Sequence, residues 1–417
     1  MRIIPNVLRI LLLLAAASLT AAPPKSWIDP DTGHRIIRLT DEAGSASLYF
    51  NDNAYTSNRK EMVYTTPDGI SVLDLQTFKT RPVVEGKVRV IVAGFKTQQV
   101  YYIQDGALFA TDVDTKVTRR IAALPARGNI ATINADETLA AGTYLEGPAG
   151  ENSGGNRQQQ GHPLDQPRDK GEMMERRLAA RLPLVLFTID LKTGALKPLL
   201  HSTDWINHLL FSPTDPGLLM YCHEGPWHKV DRIWTIHTDG SQNTLIHKRT
   251  MQMEIAGHEF WSADGRTVWY DLQTPRGEDF WLAGYNLDTG QRTWYHLQRN
   301  EWSIHFNVTR DGTLFCGDGG DPGQVAHAPD GEWLYLFRPR LIANAGVDDK
   351  TLVRPGVLEA ERLVNMSKHQ YRLEPNVSFT PDQKWIVFRS NMFGATYAFA
   401  VEVAKAGNGG TAGTSAP

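Results

Sequence analysis

The stretch "SADGRTVWYDL", Ser262–Leu272, joins a polar turn to a run of alternating apolar and polar residues. The Ser-x-Asp-Gly turn reverses the chain, and period-2 alternation sends one set of side chains to each face of a pleated strand. The stretch therefore reads as half of a β-hairpin with one buried face. Its pattern recurs at Thr56 ("TSNRKEMVYTT"), Gly94 ("GFKTQQVYYIQ"), Asn134 ("NADETLAAGTY"), Ser212 ("SPTDPGLLMYC"), Thr309 ("TRDGTLFCGDG") and Thr380 ("TPDQKWIVFRS"), which makes seven copies. Most copies are followed by a strand, an Asp-x-x-Thr turn and another strand, as in "VLDLQTFKTRPV", "ATDVDTKVTRRI", "TIDLKTGALKPL" and "GYNLDTGQRTWYHL". Two hairpins per unit of about 40–50 residues is the sequence form of a four-stranded propeller blade. The sequence thus predicts an all-β fold, a seven-bladed β-propeller.

The two ends of the chain fit together in this reading. "WIDPDTGHRIIRLT" from Trp27 is the second signature with no first hairpin before it, and the last copy ends at "TYAFAVEV" without an outer hairpin. The N-terminal segment is expected to complete the last blade and leave no free sheet edge. An open pair of β-sandwiches would not account for these permuted ends. Residues 23–404 form one propeller in this reading, with insertions at about 147–181 and 320–368. The first insertion begins with a polar Gly/Gln-rich stretch and ends in a short helix. Such insertions project from a face and commonly shape a binding site, although the first is equally consistent with disordered decoration. The tail 405–417 is low in complexity and expected to be disordered.

Residues 1–22 carry a basic start, a short apolar run and small residues at Ala21 and Ala22. That is the pattern of a signal peptide, and it predicts export to the periplasm. The run is too short to span a bilayer as a mature helix, and no other segment is apolar enough, so the mature chain is not expected to insert in a membrane. An uncleaved anchor is the alternative. The 417 residues are 41% hydrophobic and carry a formal charge of -3. No basic excess exists to neutralise phosphates, which argues against a nucleic-acid partner. Cys222 and Cys316, the only cysteines, sit in similar strand contexts of different copies and read as small buried residues rather than a disulfide.

Chemistry-bearing residues cluster in the last four copies. "YCHEGPWHKVDRIW" supplies His223, Glu224 and Arg232; "GHEFW" supplies His258 and Glu259; "NEWSIHFNV" supplies His305. "VNMSKHQYRLEPNVSF" supplies His369, Tyr371, Arg372, Glu374 and Asn376. His258, His305 and Asn376 each stand shortly before the turn that starts a hairpin, and equivalent positions of a propeller converge on one axis. Imidazoles, carboxylates and an amide, without a thiolate cluster, suit a divalent ion such as Mn²⁺ or Zn²⁺. Arg232 offers a planar cationic fork for a substrate carboxylate. Glu259 reads as a partner that orients an imidazole.

The strings "CHEGPW" with "VDRIW", "HEFWSADG", "IHFNVTRDGTLFCGDGGD" and "EPNVSFTPD" with "FRSNMFG" resemble those of oligogalacturonate lyases, a family of seven-bladed propellers. The similarity runs from about Trp27 to Val403 and is strongest from Leu210 onward. The resemblance implies metal-assisted β-elimination on oligogalacturonides, an acidic oligosaccharide substrate, with 4,5-unsaturated uronate ends as product. It implies His258 as the base, Arg232 near the substrate, and His305 as a ligand of Mn²⁺. The remaining ligands in that family, a Gln and two His, fall on Tyr371, Glu374 and Asn376. Glu and Asn can also serve Ca²⁺ or Mg²⁺, and His369 stands nearby as a substitute. Glu224, Glu259, Tyr371 and Arg372 are expected to line the substrate, while the proton donor is left open between His223, His258 and solvent. The alternatives are a lyase for another uronate oligosaccharide, such as one derived from rhamnogalacturonan, and a non-catalytic periplasmic binding propeller. A glycoside hydrolase using Glu224, Glu259 or Glu374 would not need the histidines and the arginine.

Overall fold

The two turn signatures satisfy their own polar groups, which is why they can repeat without help from neighbours. In the computed structural model, which describes residues 23–147, 169–346 and 349–407, the Thr309 hydroxyl donates to Asp311 Oδ1 at 2.7 Å, and that oxygen accepts the Thr313 amide at 3.1 Å. Ser262 with Asp264 and Thr380 with Asp382 repeat the first of these contacts. In the second signature, Asp74 Oδ1 accepts the amides of Gln76 and Thr77 and the Thr77 hydroxyl. These bonds from Thr77 hold the Asp74 carboxyl below the usual range. Asp112 and Asp190 repeat the arrangement, and Asn286 does so with an amide oxygen.

The described strands form antiparallel groups of four: residues 46–85, 89–123, 128–202, 205–245, 255–296 and 306–365, followed by a final group that starts at Ser378. The last group takes Ser378–Phe379, Trp385–Phe393 and Ala395–Lys405 from the C-terminal end. It then takes His34–Arg38 and Ser26–Ile28 from the N-terminal end, as the permuted signatures predicted, and so has five strands. The fifth and sixth groups are joined into one eight-stranded sheet, because Arg292–His296 pairs in parallel with Arg354–Asn365. Apolar layers link each group to the next. Val63 and Val72 of the first group pack with Val100 and Tyr102 of the second. Met62 and Tyr64 on its other side pack with Val387 and Ala398 of the last. The circuit of sheets is thereby closed, and its exposed edges are few.

The segment 320–368 differs from expectation. It is not an insertion on a finished blade, because Trp333–Leu341 and Arg354–Asn365 are the sixth group's own outer strands. They pair with each other along nearly their full length, and the start of the second also pairs with the fifth group. Of the stretch 147–181, the Gly/Gln-rich part from 148 to 168 lies outside the described residues, and the rest is a helix, Lys170–Ala180. Asp169 caps it by accepting the Glu172 amide. The helix rests on the connection between Glu224 and Arg232: Lys170 lies over the Trp227 ring, and Glu175 pairs with Lys229. Residues 1–22 and 408–417 also lie outside the described residues, while Lys405, assigned above to the tail, is still in a strand opposite His34. Among the described residues no helix is long and apolar enough to cross a membrane. Cys222 and Cys316 are free and buried.

Candidate active site

Counting back four residues from the turn residue of a hairpin reaches Asp52 in the first group, His208 in the fourth, His258 in the fifth, His305 in the sixth and Asn376 in the last. The backbone at these positions is unusual. His208, His258 and Asn376 have φ of 45°, 46° and 55°, in the left-handed region that His and Asn tolerate better than most residues. In the fourth and fifth groups the strand register slips here, between Asn207 and Leu210 and between Gly257 and Phe260. A bulge of this kind turns a side chain out of the sheet's alternation, and here it aims the imidazoles at the centre of the ring.

Two imidazoles are fixed by buried carboxylates. His258 Nδ1 lies 2.9 Å from Asp271 Oδ1. A carboxylate only accepts, so Nδ1 carries the hydrogen and Nε2 keeps a free lone pair. Burial pushes the His258 imidazolium down, and Arg232 adds to that. Asp271 outweighs both by charge and hydrogen bond, so the net value is raised above that of an ordinary imidazole. His305 repeats the arrangement. Its Nδ1 is 2.7 Å from Asp318 Oδ2, and its Nε2 receives the Tyr49 hydroxyl at 3.1 Å and lies 3.9 Å from Glu374 Oε2. The rings of His258 and His305 cross nearly perpendicular with centroids 4.8 Å apart.

Arg232 is placed differently from expectation. It is not an open fork, because Nη1 donates to Glu224 Oε1 at 3.0 Å and Nε to Glu259 Oε2 at 3.0 Å, and the guanidinium is only 4% exposed. Glu259 consequently does not orient His258; Asp271 does. Burial pushes both glutamates up, but Arg232 reverses this and holds the Glu224 and Glu259 carboxyls below the usual range. His223 leaves the cluster altogether. It neighbours Glu224 on one strand and therefore faces the other way, against the Trp234 ring. Arg372 is exposed, without a described role at the centre.

The cluster before the last group also needs correction. His369 has both nitrogens engaged: Nε2 donates to the Leu373 carbonyl at 2.6 Å and Nδ1 accepts from the Ser390 hydroxyl. Its one accepting nitrogen faces Ser390, whereas Glu374 stands beside His305. The Tyr371 hydroxyl is buried and donates to the Asp318 carbonyl at 3.2 Å, so Tyr371 braces His305's carboxylate partner and does not line a substrate. Asn376 spends its amide on backbone, donating to the Glu374 carbonyl and accepting from the Phe50 amide. Of this cluster only Glu374 extends a donor toward His305.

Five residues here escaped the sequence reading. Asp271, within the strand of "VWYDLQ", and Asp318, directly after the strand of "FCGDGG", are buried where a carboxylate needs a partner, and that anomaly was a usable signal. His208 shares the four-before-turn spacing of His258. Tyr49 comes from the N-terminal half, where no charged residue marks it. Arg389 donates from Nε to the Glu374 carbonyl at 2.8 Å, and no described residue accepts from its terminal nitrogens. A cleft of about 660 Å³ lies elsewhere, among turns that include Thr214, Asp264 and Asp288, and none of the convergent residues lines it.

A closed circuit of antiparallel sheets, with imidazole–carboxylate pairs where its members meet, defines a β-propeller. The profile of the oligogalacturonate lyase family matches residues 21–406, and the chain belongs to that family and is a lyase. It is 25% identical over 397 residues to the oligogalacturonate lyase of Dickeya dadantii, covering 91% of this chain and 95% of that one. It is 24% identical, with the same coverage, to the oligogalacturonide lyase of Pectobacterium atrosepticum. Two solved structures share the fold. An oligogalacturonate lyase in complex with manganese superposes with a TM-score of 0.71 at 22% identity, covering 91% of this chain and 96% of that one. The oligogalacturonate lyase of Vibrio parahaemolyticus does so with a TM-score of 0.70 at 22% identity and the same coverage.

Proposed function

We propose that this lyase cleaves oligogalacturonides by β-elimination, with His258 as the base. The observation that carries the proposal is the His258–Asp271 pair, whose Nε2 lone pair is free beside His305. The C5 hydrogen of a uronate is weakly acidic because the adjacent carboxylate is already negative, so the site must neutralise that group before an imidazole can act. Arg389, with its terminal nitrogens free and Glu374 and Tyr49 close by, is the cation suited to this task. Arg232, paired on both sides, is not.

The donor set also fits a divalent ion. Asp318 fixes the His305 tautomer, so Nε2 becomes a ligand atom once the Tyr49 hydroxyl turns away from it, and Glu374 supplies an oxygen within reach of it. These two residues would hold the ion, with water and substrate completing its shell as is usual for hard cations. When bound, the ion would supply Lewis-acid stabilisation of the charge that develops on the uronate carboxylate. The chain's own residues do the rest: Asp271 orients His258, Nε2 takes the C5 proton, and C4 loses its glycosidic oxygen. No water is consumed.

Incubation with oligogalacturonate should raise the ultraviolet absorbance of the conjugated product, and no rise with metal supplied would overturn the proposal. Chelation should lower activity by about 10²-fold or more, the equivalent of several kcal/mol of lost charge stabilisation, with recovery on adding Mn²⁺. The pH profile offers a separate check. A base must be neutral, so a raised His258 value places the acid limb of kcat/KM above the ordinary imidazole range. Asp271→Asn removes the raising influence and leaves burial, so the limb should shift to lower pH while the plateau falls. We also propose a periplasmic location, supported by the pattern of residues 1–22; cell fractionation tests it.

A further inference from the structure

We propose that His208 is the proton donor to the departing oxygen, which makes the site a two-histidine acid–base device; this rests on the lyase reading above. The stereochemistry of the substrate requires a second group. In galacturonate the C4 oxygen is axial and the C5 hydrogen lies on the opposite face of the ring, so one imidazole placed to take the proton cannot also reach the leaving oxygen. His223, the other histidine that the sequence offered, faces away from the centre.

His208 meets the requirement on four independent observations. It holds the ring position of His258 one sheet earlier, four residues before Ser212 as His258 is before Ser262, and with the same left-handed backbone. A slip in strand register turns it inward in the same manner. A carboxylate backs it as Asp271 backs His258, with Nε2 3.2 Å from Glu224 Oε2. Its Nδ1 has no partner among the described residues, and its side chain is 31% exposed, so that nitrogen is free to meet a ligand.

The surroundings place it in the same cluster of rings as the base. A chain of rings runs from His208 to Tyr49 with centroids 6.2 Å apart, from Tyr49 to His305 at 5.2 Å, and from His305 to His258 at 4.8 Å. His208 and His258 are thereby linked through Tyr49 and His305, which both lie close to Glu374. Glu224 is itself fixed by Arg232, which keeps it ionised and stationary. The locked arginine that is unavailable to substrate thus has a purpose: it holds the carboxylate that holds the acid. The Cys222 thiol and Glu224 lie close enough to His208 to suggest a metal trio, but Arg232 already occupies Glu224 and burial keeps the thiol protonated, so a cation is not accommodated there.

The elimination then balances within the chain and substrate. His258 Nε2 takes the C5 proton, the C5–H electron pair becomes the C4=C5 double bond, and the C4–O bond breaks with its pair on oxygen. Protonated His208 delivers the Nδ1 hydrogen to that oxygen. The enzyme ends with one proton gained at His258 and one lost at His208, so solvent needs only to restore the starting state.

The test compares His208→Asn with His258→Asn, since Asn is the residue that the last group accepts at the equivalent left-handed position. On oligogalacturonide, His208→Asn should lower kcat by roughly 10²–10⁴-fold with little change in KM. On a uronate carrying 4-nitrophenol at C4, whose leaving phenolate needs no proton, the same variant should stay within about threefold of wild type, whereas His258→Asn stays slow on both. Equal losses on the two substrates, or a kcat within about threefold of wild type on oligogalacturonide, would overturn the assignment. Absence of unsaturated product from the wild-type enzyme would overturn the lyase reading instead.

Discussion

His258→Asn is expected to lower kcat on oligogalacturonide by roughly 10²–10⁴-fold, the usual contribution of a positioned general base, with the unfolding midpoint close to wild type. The choice of Asn matters. His258 sits at a φ of 46°, where alanine would add backbone strain and confuse a chemical loss with a structural one. Asn376 adopts a φ of 55° at the equivalent position of the last sheet, so an Asn side chain fits this backbone. Substrate binding should change little, since the proposed carboxylate-binding groups lie on Arg389, His305 and Glu374. A variant that retained activity within about threefold would remove His258 from the role of base.

The second large effect concerns stability. Arg232→Met is expected to cost about 3–5 kcal/mol, because it strands two buried carboxylates that now share one guanidinium. The sign of the pH dependence identifies the cause. In the wild type the Glu224 and Glu259 values are depressed, so their contribution is present above the unfolded carboxyl value and fades as pH falls. Without Arg232, burial dominates and both carboxyls prefer their protons, so the deficit should shrink in mild acid. Replacing both glutamates by Gln in the Arg232→Met background should recover much of the loss. Urea denaturation at two pH values measures all of this, and a deficit independent of pH would mean that the charges are not paired as described.

The architecture was legible in the sequence because its repeating turns are chemically self-sufficient. Thr309–Asp311 and Asp74–Thr77 close their own hydrogen bonds, so their spelling survives wherever they stand. The segment 320–368 was misread for the opposite reason. Arg354–Asn365 pairs at its start with a neighbouring sheet and beyond that with Trp333–Leu341, tertiary events without a local signature. The site divides in the same way. His258 and His305 announce themselves by type and spacing, whereas the occupation of Arg232, His369 and Asn376 depends on which partner the fold brings within 3 Å or so. A free guanidinium and a neutralised one look identical in a string of letters. Asp271 shows what remained recoverable: a carboxylate spelled into an apolar strand demands an explanation even before its partner is known.

The seam between the two ends of the chain bears on how the protein comes into being. The His34 side chain finds its partners toward the far end of the sequence, Nδ1 donating to the Glu402 carbonyl across 368 residues and Nε2 facing Glu361. During synthesis the opening strands emerge first and must wait, paired only with each other, until the final one is made. Closing so long a loop carries a large entropic barrier that earlier sheets cannot relieve, so maturation should finish with a slow docking step. A nascent chain lacking its last strand would hold most of its hairpins yet present a raw edge, which makes the interval before closure a period of vulnerability to aggregation and proteolysis.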